Sequence, residues 1–178
     1  QWNEPGRKQE AANYFRQNPH RLHLGNIGFE LLNENRQQVN IDEIRNIKQT
    51  LNLWEGKISG YFEIEGEAVN VQTFCHPTRD LIAAEVQSER IKKGLMTFNL
   101  RFPYPTANHV DGASDWRSPE KHLSEIIHQN GNSSVFKHTL DTTTYFVKLS
   151  WDGKAKIIQK EPHYFVLQPV VESENFSF

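Results

Sequence analysis

The stretch Met96-Thr97-Phe98-Asn99-Leu100-Arg101-Phe102 decides the fold. Its apolar side chains recur at every second position. In an extended chain successive side chains leave on opposite faces, so one face is apolar and the other wet. The pattern predicts a β-strand with one face buried. Tyr145, Val147, Leu149 and Trp151 repeat the rhythm against Lys148 and Ser150, and Asp152-Gly153 follows. Both residues of that pair tolerate positive φ, which predicts a two-residue hairpin turn with a strand returning over 154–160. A second hairpin is expected from 58–64 and 68–74 around Glu65-Gly66-Glu67. Further strands are expected over 27–32, 47–53, 81–88, 135–140 and 164–168.

About ten strands spaced by roughly ten residues indicate antiparallel architecture, because parallel strands would need helices between them. The expectation is an all-β fold: a large two-sheet antiparallel β-sandwich, or supersandwich, with one short helix in a long inter-strand loop. That loop is the excursion 103–134. Ser118 suits a helix N-cap, Pro119 the first helical position and Gly131 the C-terminal end, and Leu123, Ile126 and Ile127 form an apolar stripe, so a helix is predicted over 119–130. Residues 1–24 read as an irregular N-terminal segment, and 1–178 as a single domain.

Composition sets further bounds. With 20 basic and 22 acidic residues the formal net charge is −2. No whole-chain field then favours phosphate backbones or anionic lipids, and no nucleic-acid partner is expected. One cysteine, Cys75, excludes an internal disulfide framework. No apolar run nears the roughly 20 residues of a membrane-spanning helix. The chain opens on Gln1 and ends while an alternating pattern is still running at Asn175-Phe176-Ser177-Phe178, so it reads as a piece of a longer protein.

Two loops hold the residue types that bind sugars. His20, Arg21 and His23 cluster just before a predicted strand; His109, Asp111, Asp115 and Trp116 occupy the first half of the excursion. Carboxylates and imidazoles hydrogen-bond hydroxyl groups, and an indole face packs on the C–H surface of a pyranose. The plainer alternatives are loop-ordering hydrogen bonds for the first group and, for the second, an indole covering its neighbours beside solvated acids. A zinc site wants three or four protein ligands, and the His20–His23 pair lacks a completing Cys or Glu, so no metal is expected. Adjacent positions in a strand face opposite ways, which argues against Cys75 and His76 as nucleophile and base. Glycoside hydrolysis needs two carboxyl groups at a defined separation, and no acid here stands out for that work. No nucleotide-binding, hydrolase or metalloprotease motif occurs. No catalytic residue and no cofactor is assigned.

Three runs carry a family resemblance: Asn18-Pro19-His20-Arg21-Leu22-His23-Leu24-Gly25-Asn26-Ile27-Gly28, then Gln49-Thr50-Leu51-Asn52-Leu53-Trp54-Glu55-Gly56, then Val71-Gln72-Thr73-Phe74-Cys75-His76-Pro77-Thr78-Arg79-Asp80-Leu81-Ile82-Ala83. In this order they resemble the N-terminal β-supersandwich, similar to galactose mutarotase, that precedes a six-hairpin (α/α) barrel in bacterial glycoside hydrolases and phosphorylases of the maltose-phosphorylase-like group. The resemblance spans about 18–168. It implies a noncatalytic domain packed on the C-terminal α/α-barrel of the same chain, which carries the general acid. This domain would shape one wall of a cleft for an oligo- or polysaccharide through the loops of His20, Arg21, His23, His109, Asp111, Asp115 and Trp116, and would take part in any homodimer. It favours a periplasmic or extracellular location. The alternatives are an autonomous carbohydrate-binding module and an enzyme resembling aldose mutarotase.

Overall fold

The computed structural model describes residues 6–16, 23–106, 112–170 and 172–178. The chain is all-β, with antiparallel pairing throughout. Its elements are α1 (Arg7–Arg16), β1 (Asn26–Leu31), β2 (Ile44–Asn52), β3 (Lys57–Ile64), β4 (Glu67–Cys75), β5 (Ile82–Gln87), α2 (Glu89–Lys92) and β6 (Met96–Arg101). They continue with β7 (His122–Gln129), β8 (Ser133–Leu140), β9 (Thr143–Ser150), β10 (Ala155–Glu161), β11 (Tyr164–Pro169) and β12 (Asn175–Ser177).

The strands form a four-stranded sheet ordered β1-β6-β11-β10, a five-stranded sheet ordered β12-β5-β4-β3-β2 and a three-stranded sheet ordered β7-β8-β9. The inner face of the four-stranded sheet is the layer common to two cores. Met96, Phe98 and Leu167 pack with Ile64, Val69, Val86 and Phe176 of the five-stranded sheet, whereas Leu100 and Phe165 pack with Phe136 of the three-stranded sheet. Positions 98 and 100 share a parity, as do 165 and 167, so both cores lie on one face. Leu149 and Ile157 touch both cores and join them. The second layer is thus divided between two sheets, where the sequence pattern led us to expect one.

The β3–β4 hairpin forms as its turn chemistry requires: Glu65 and Gly66 both take positive φ, at 53° and 81°. Two such residues match the right-handed twist of the strands they join. The Asp152-Gly153 turn does something else. Gly153 has φ 81°, yet β9 and β10 belong to different sheets, so this bend carries the chain from one sheet to another and makes no hairpin. Asp152 N–H donates to Ser177 O at 3.0 Å, tying the bend to the end of β12.

Two further expectations fail. Residues 1–24 include α1, a ten-residue helix. The helix expected over 119–130 is a 3-10 turn at Pro119–Lys121 followed by strand β7. Ser118 makes no capping bond; its hydroxyl donates to Asp115 Oδ2 at 2.7 Å. β7 instead pairs along its length with β8, and tertiary pairing overrides local helix signals. The excursion 103–134 consequently holds a strand, and an isolated bridge between Tyr104 and Asp115 narrows its base.

Candidate functional site

The densest polar chemistry among the described residues gathers where β6 ends, β7 begins and β10 turns into β11. A cleft there is lined by Arg101, Asp115, Trp116, His122, Glu161 and Tyr164. Arg101 leaves β6 on the outer face of the four-stranded sheet, with its guanidinium 4.6 Å from the Trp116 ring centroid and 4.8 Å from that of Tyr164. A guanidinium between two π-faces is held without giving up its in-plane N–H donors. Tyr164 donates its hydroxyl to Glu30, which also accepts from Lys160 Nζ at 2.5 Å. Burial, and then the Glu30 carboxylate, push the Tyr164 phenol up to about 12, so it stays a donor.

The wall opposite is local loop structure. Asp115 Oδ1 accepts from Arg117 N–H at 2.8 Å and Oδ2 from the Ser118 hydroxyl at 2.7 Å. These bonds, the Ser118 hydroxyl first, hold the Asp115 carboxyl below its usual range. Trp116 is 44% exposed, and His23 meets it edge-on with 6.4 Å between centroids. Tyr145 anchors the His23 segment by donating its hydroxyl to His23 O at 2.7 Å.

Of the sugar-contact candidates, then, His23, Asp115 and Trp116 come together at this cleft. His20, Arg21, His109 and Asp111 lie outside the described residues. Trp54, at the end of the strand expected over 47–53, is 99% exposed in the β2–β3 turn. Cys75 is exposed, and its thiol contacts His76 O at 3.8 Å, not the imidazole.

Behind the cleft lies a group that sequence reasoning missed. His138 of β8 is buried, His163 has φ 61° in the β10–β11 turn, and His122 opens β7 at the cleft edge. Ser124 Oγ stands 2.7 Å from His138 Nδ1 and 2.8 Å from His163 Nδ1. His138 Nε2 lies 3.3 Å from His122 Nδ1, and His163 Nε2 lies 2.9 Å from Pro119 O. The His122 and His163 rings stack with 3.6 Å between centroids and 15° between planes. Burial, joined by the neighbouring imidazoles, lowers both His122 and His138 to about 4, so both are neutral near pH 7. A backbone strained into the left-handed region at a buried histidine is the kind of outlier that marks a functional site.

The three imidazoles offer ligand atoms within 4.8 Å of one another. The edge of a tetrahedral zinc centre is nearer 3.4 Å, as Zn–N bonds of about 2.0–2.1 Å require. The lone pairs of the stacked His122 and His163 rings also lie in nearly parallel planes and do not converge on one point. As it stands the group is a hydrogen-bonded row that runs from Pro119 O to His122 Nδ1.

No family model matches the chain, and no curated protein matches its sequence.

Proposed function

We propose that this chain is a noncatalytic β-sandwich domain of a carbohydrate-active enzyme, docked on a helical (α/α) barrel and presenting the Arg101–Trp116 cleft to saccharide. The observation that carries the reading is an unfilled end of the sandwich. On the inner face of the five-stranded sheet, Ile64, Val69 and Val86 are fully buried, but further along the same face Leu51 and Ile82 are 56% and 57% exposed. Leu53 and the fully exposed Trp54 extend this apolar end at the β2–β3 turn. Apolar side chains left uncovered at one end of a sheet in this way mark a docking surface, and an indole at its tip suits an interface anchor.

Support for the carbohydrate assignment is the composition of the cleft: carboxylates at Asp115 and Glu161, donors on Arg101, and an indole beside them. The order of strand signals that resembles the maltose-phosphorylase-like group supplies the identity of the partner domain. The noncatalytic assignment follows from the acids themselves. Asp115 is tied into its own loop by Arg117 N–H and the Ser118 hydroxyl, which hold its carboxyl below its usual range, whereas a general acid must be held protonated.

The test is to take the full reading frame that encodes this chain, express any helical-hairpin segment it carries beyond Phe178, and measure that segment's association with this chain by sedimentation. A helical-hairpin domain that binds this chain, and loses it on Trp54→Ser with Leu53→Ser, supports the reading. A continuation without helical repeats, or hydrolysis of oligosaccharide by this chain that disappears on changing one of its carboxylates, overturns it.

A further inference from the structure

The histidine row behind the cleft has a direction. Pro119 O only accepts, so His163 Nε2 carries a hydrogen and donates it. In the neutral ring His163 Nδ1 is then a bare lone pair, and the Ser124 hydroxyl donates to it. Ser124 has one hydrogen, so its oxygen accepts from His138 Nδ1. His138 Nε2 is left as a lone pair and accepts from His122 Nδ1. The row ends at His122 Nε2, an acceptor with no partner among the described residues, on a side chain that lines the cleft.

One added proton can reverse the three bonds that run from His122 through His138 and Ser124 to His163, and lose none. It enters at His122 Nε2. The hydrogen on His122 Nδ1 passes to His138 Nε2, that on His138 Nδ1 passes to Ser124, and the Ser124 hydrogen passes to His163 Nδ1. The charge ends on His163, whose two N–H groups now donate to Pro119 O and Ser124 Oγ. His122 and His138 finish neutral, each with its hydrogen on the other nitrogen.

We propose that His122 Nε2 is a specificity-determining atom of the cleft, and that the protonation of buried His163, relayed through Ser124 and His138, switches it from hydrogen-bond acceptor to donor. With the row neutral, the cleft presents acceptors at His122, Asp115 and Glu161 and takes hydroxyl groups of a ligand. With the row charged, His122 joins Arg101 as a donor, and the cleft takes a carboxylate or another acceptor. This rests on the reading of the cleft as a ligand site; the relay itself does not.

Titratable and charged groups face the row from each element packed against it. His122 faces the Tyr104 ring and the carboxylates of Asp115 and Glu120, yet burial outweighs those acids and keeps it neutral to about 4. Tyr104 in turn faces Lys121 and Asp141. His138 lies between Phe102 and Tyr145, the latter pushed up to about 12 by burial and so uncharged. His163 shares its side of the cleft with Arg101, Glu161 and Tyr164.

Long-range proton–nitrogen NMR of the imidazoles, recorded from about pH 8 to about pH 5, reads the relay directly because it reports which ring nitrogen carries the hydrogen. The expected result is that His122 converts from its Nδ1–H to its Nε2–H form with the midpoint at which His163 becomes charged. In Ser124→Ala the His163 charge should appear with no conversion at His122. Should Ser124→Ala not fold, His163→Gln serves instead, and His122 should then keep one form across the range. His122 holding a single form in the unaltered protein, or converting identically in the variant, overturns the proposal. No saccharide and no helical domain enters this measurement, so it can fail while the docking reading stands, and the reverse.

Discussion

Phe98 of β6 and Phe176 of β12 stack across the interior with 5.3 Å between ring centroids and 12° between planes, joining the four-stranded sheet to the five-stranded one. Phe29 and Phe178 pack on the same ring at 5.8 and 4.8 Å. Phe98→Ala should therefore cost about 3–5 kcal/mol, the range for truncating a buried aromatic. Thr97→Ala, one position along and on the outer face, should cost well under about 1 kcal/mol. Urea denaturation of the two variants checks the strand and its register together, and similar losses at both would contradict the register.

Arg90 is fully buried, and both terminal nitrogens of its guanidinium are hydrogen-bonded. Its guanidinium donates to Leu32 O, to Glu65 Oε2 at 3.2 Å and to Glu67 Oε2 at 2.9 Å, which binds α2 to the β3–β4 hairpin. Removing the guanidinium leaves Leu32 O without its donor and the partly exposed Glu65 and Glu67 without their counter-charge. Arg90→Ala should destabilise by about 1.5–3 kcal/mol, the range for charged hydrogen bonds. Lys92→Ala, whose exposed contact with Glu89 is 3.9 Å long, should cost about 0–1 kcal/mol. The same denaturation experiment separates the two.

The pH dependence follows from His122 and His138, both lowered to about 4 from an ordinary value of 6.5. The unfolded chain binds their protons at a higher pH than the folded one does. Stability from this source is fully present above about pH 6.5, falls as pH drops from 6.5 toward 4, and levels off below. The slope can reach about 1.4 kcal/mol per pH unit for each imidazole that behaves this way. Chemical denaturation at pH 7.5, 6, 5 and 4.5 should show the loss, and His138→Gln should flatten it. A stability that rises toward pH 4.5 would contradict the burial of His122 and His138 as neutral rings.

Much of the architecture was readable because alternation and burial agree. In β6 the inward positions carry Met96, Phe98 and Leu100, and the outward ones Thr97, Asn99 and Arg101. β7 reverses that agreement. Its inward positions hold His122 and Ser124, which serve the histidine row, while Leu123 and Ile127 are exposed on the outer face. Two polar residues ahead of the core residue Ile126 on the inward side do not read as a strand face, and the apolar residues fell by chance on a helical spacing. The row escaped notice for the same reason. Its members come from β7, β8 and the β10–β11 turn, and only the pairing of strands, which turn chemistry at Asp152-Gly153 misstated, brings them together. The meeting of the His23 and Trp116 loops likewise depends on how β1 and β6 lie side by side, a relationship that no local pattern encodes.

Trp54→Ser should leave the isolated chain as stable as before, within about 0.5 kcal/mol, because the side chain packs on nothing. Thermal unfolding checks this. A loss of several degrees would mean that the indole belongs to the fold and not to an interface.

Hydrogen–deuterium exchange tests the docking account most directly, by comparing this chain alone with the longer polypeptide that carries the proposed helical domain. The account predicts slower exchange in the longer protein over 51–58 and 75–84, at the open end of the five-stranded sheet, with β6 and β11 unchanged. Equal exchange over 51–58 and 75–84 in the two proteins would contradict it.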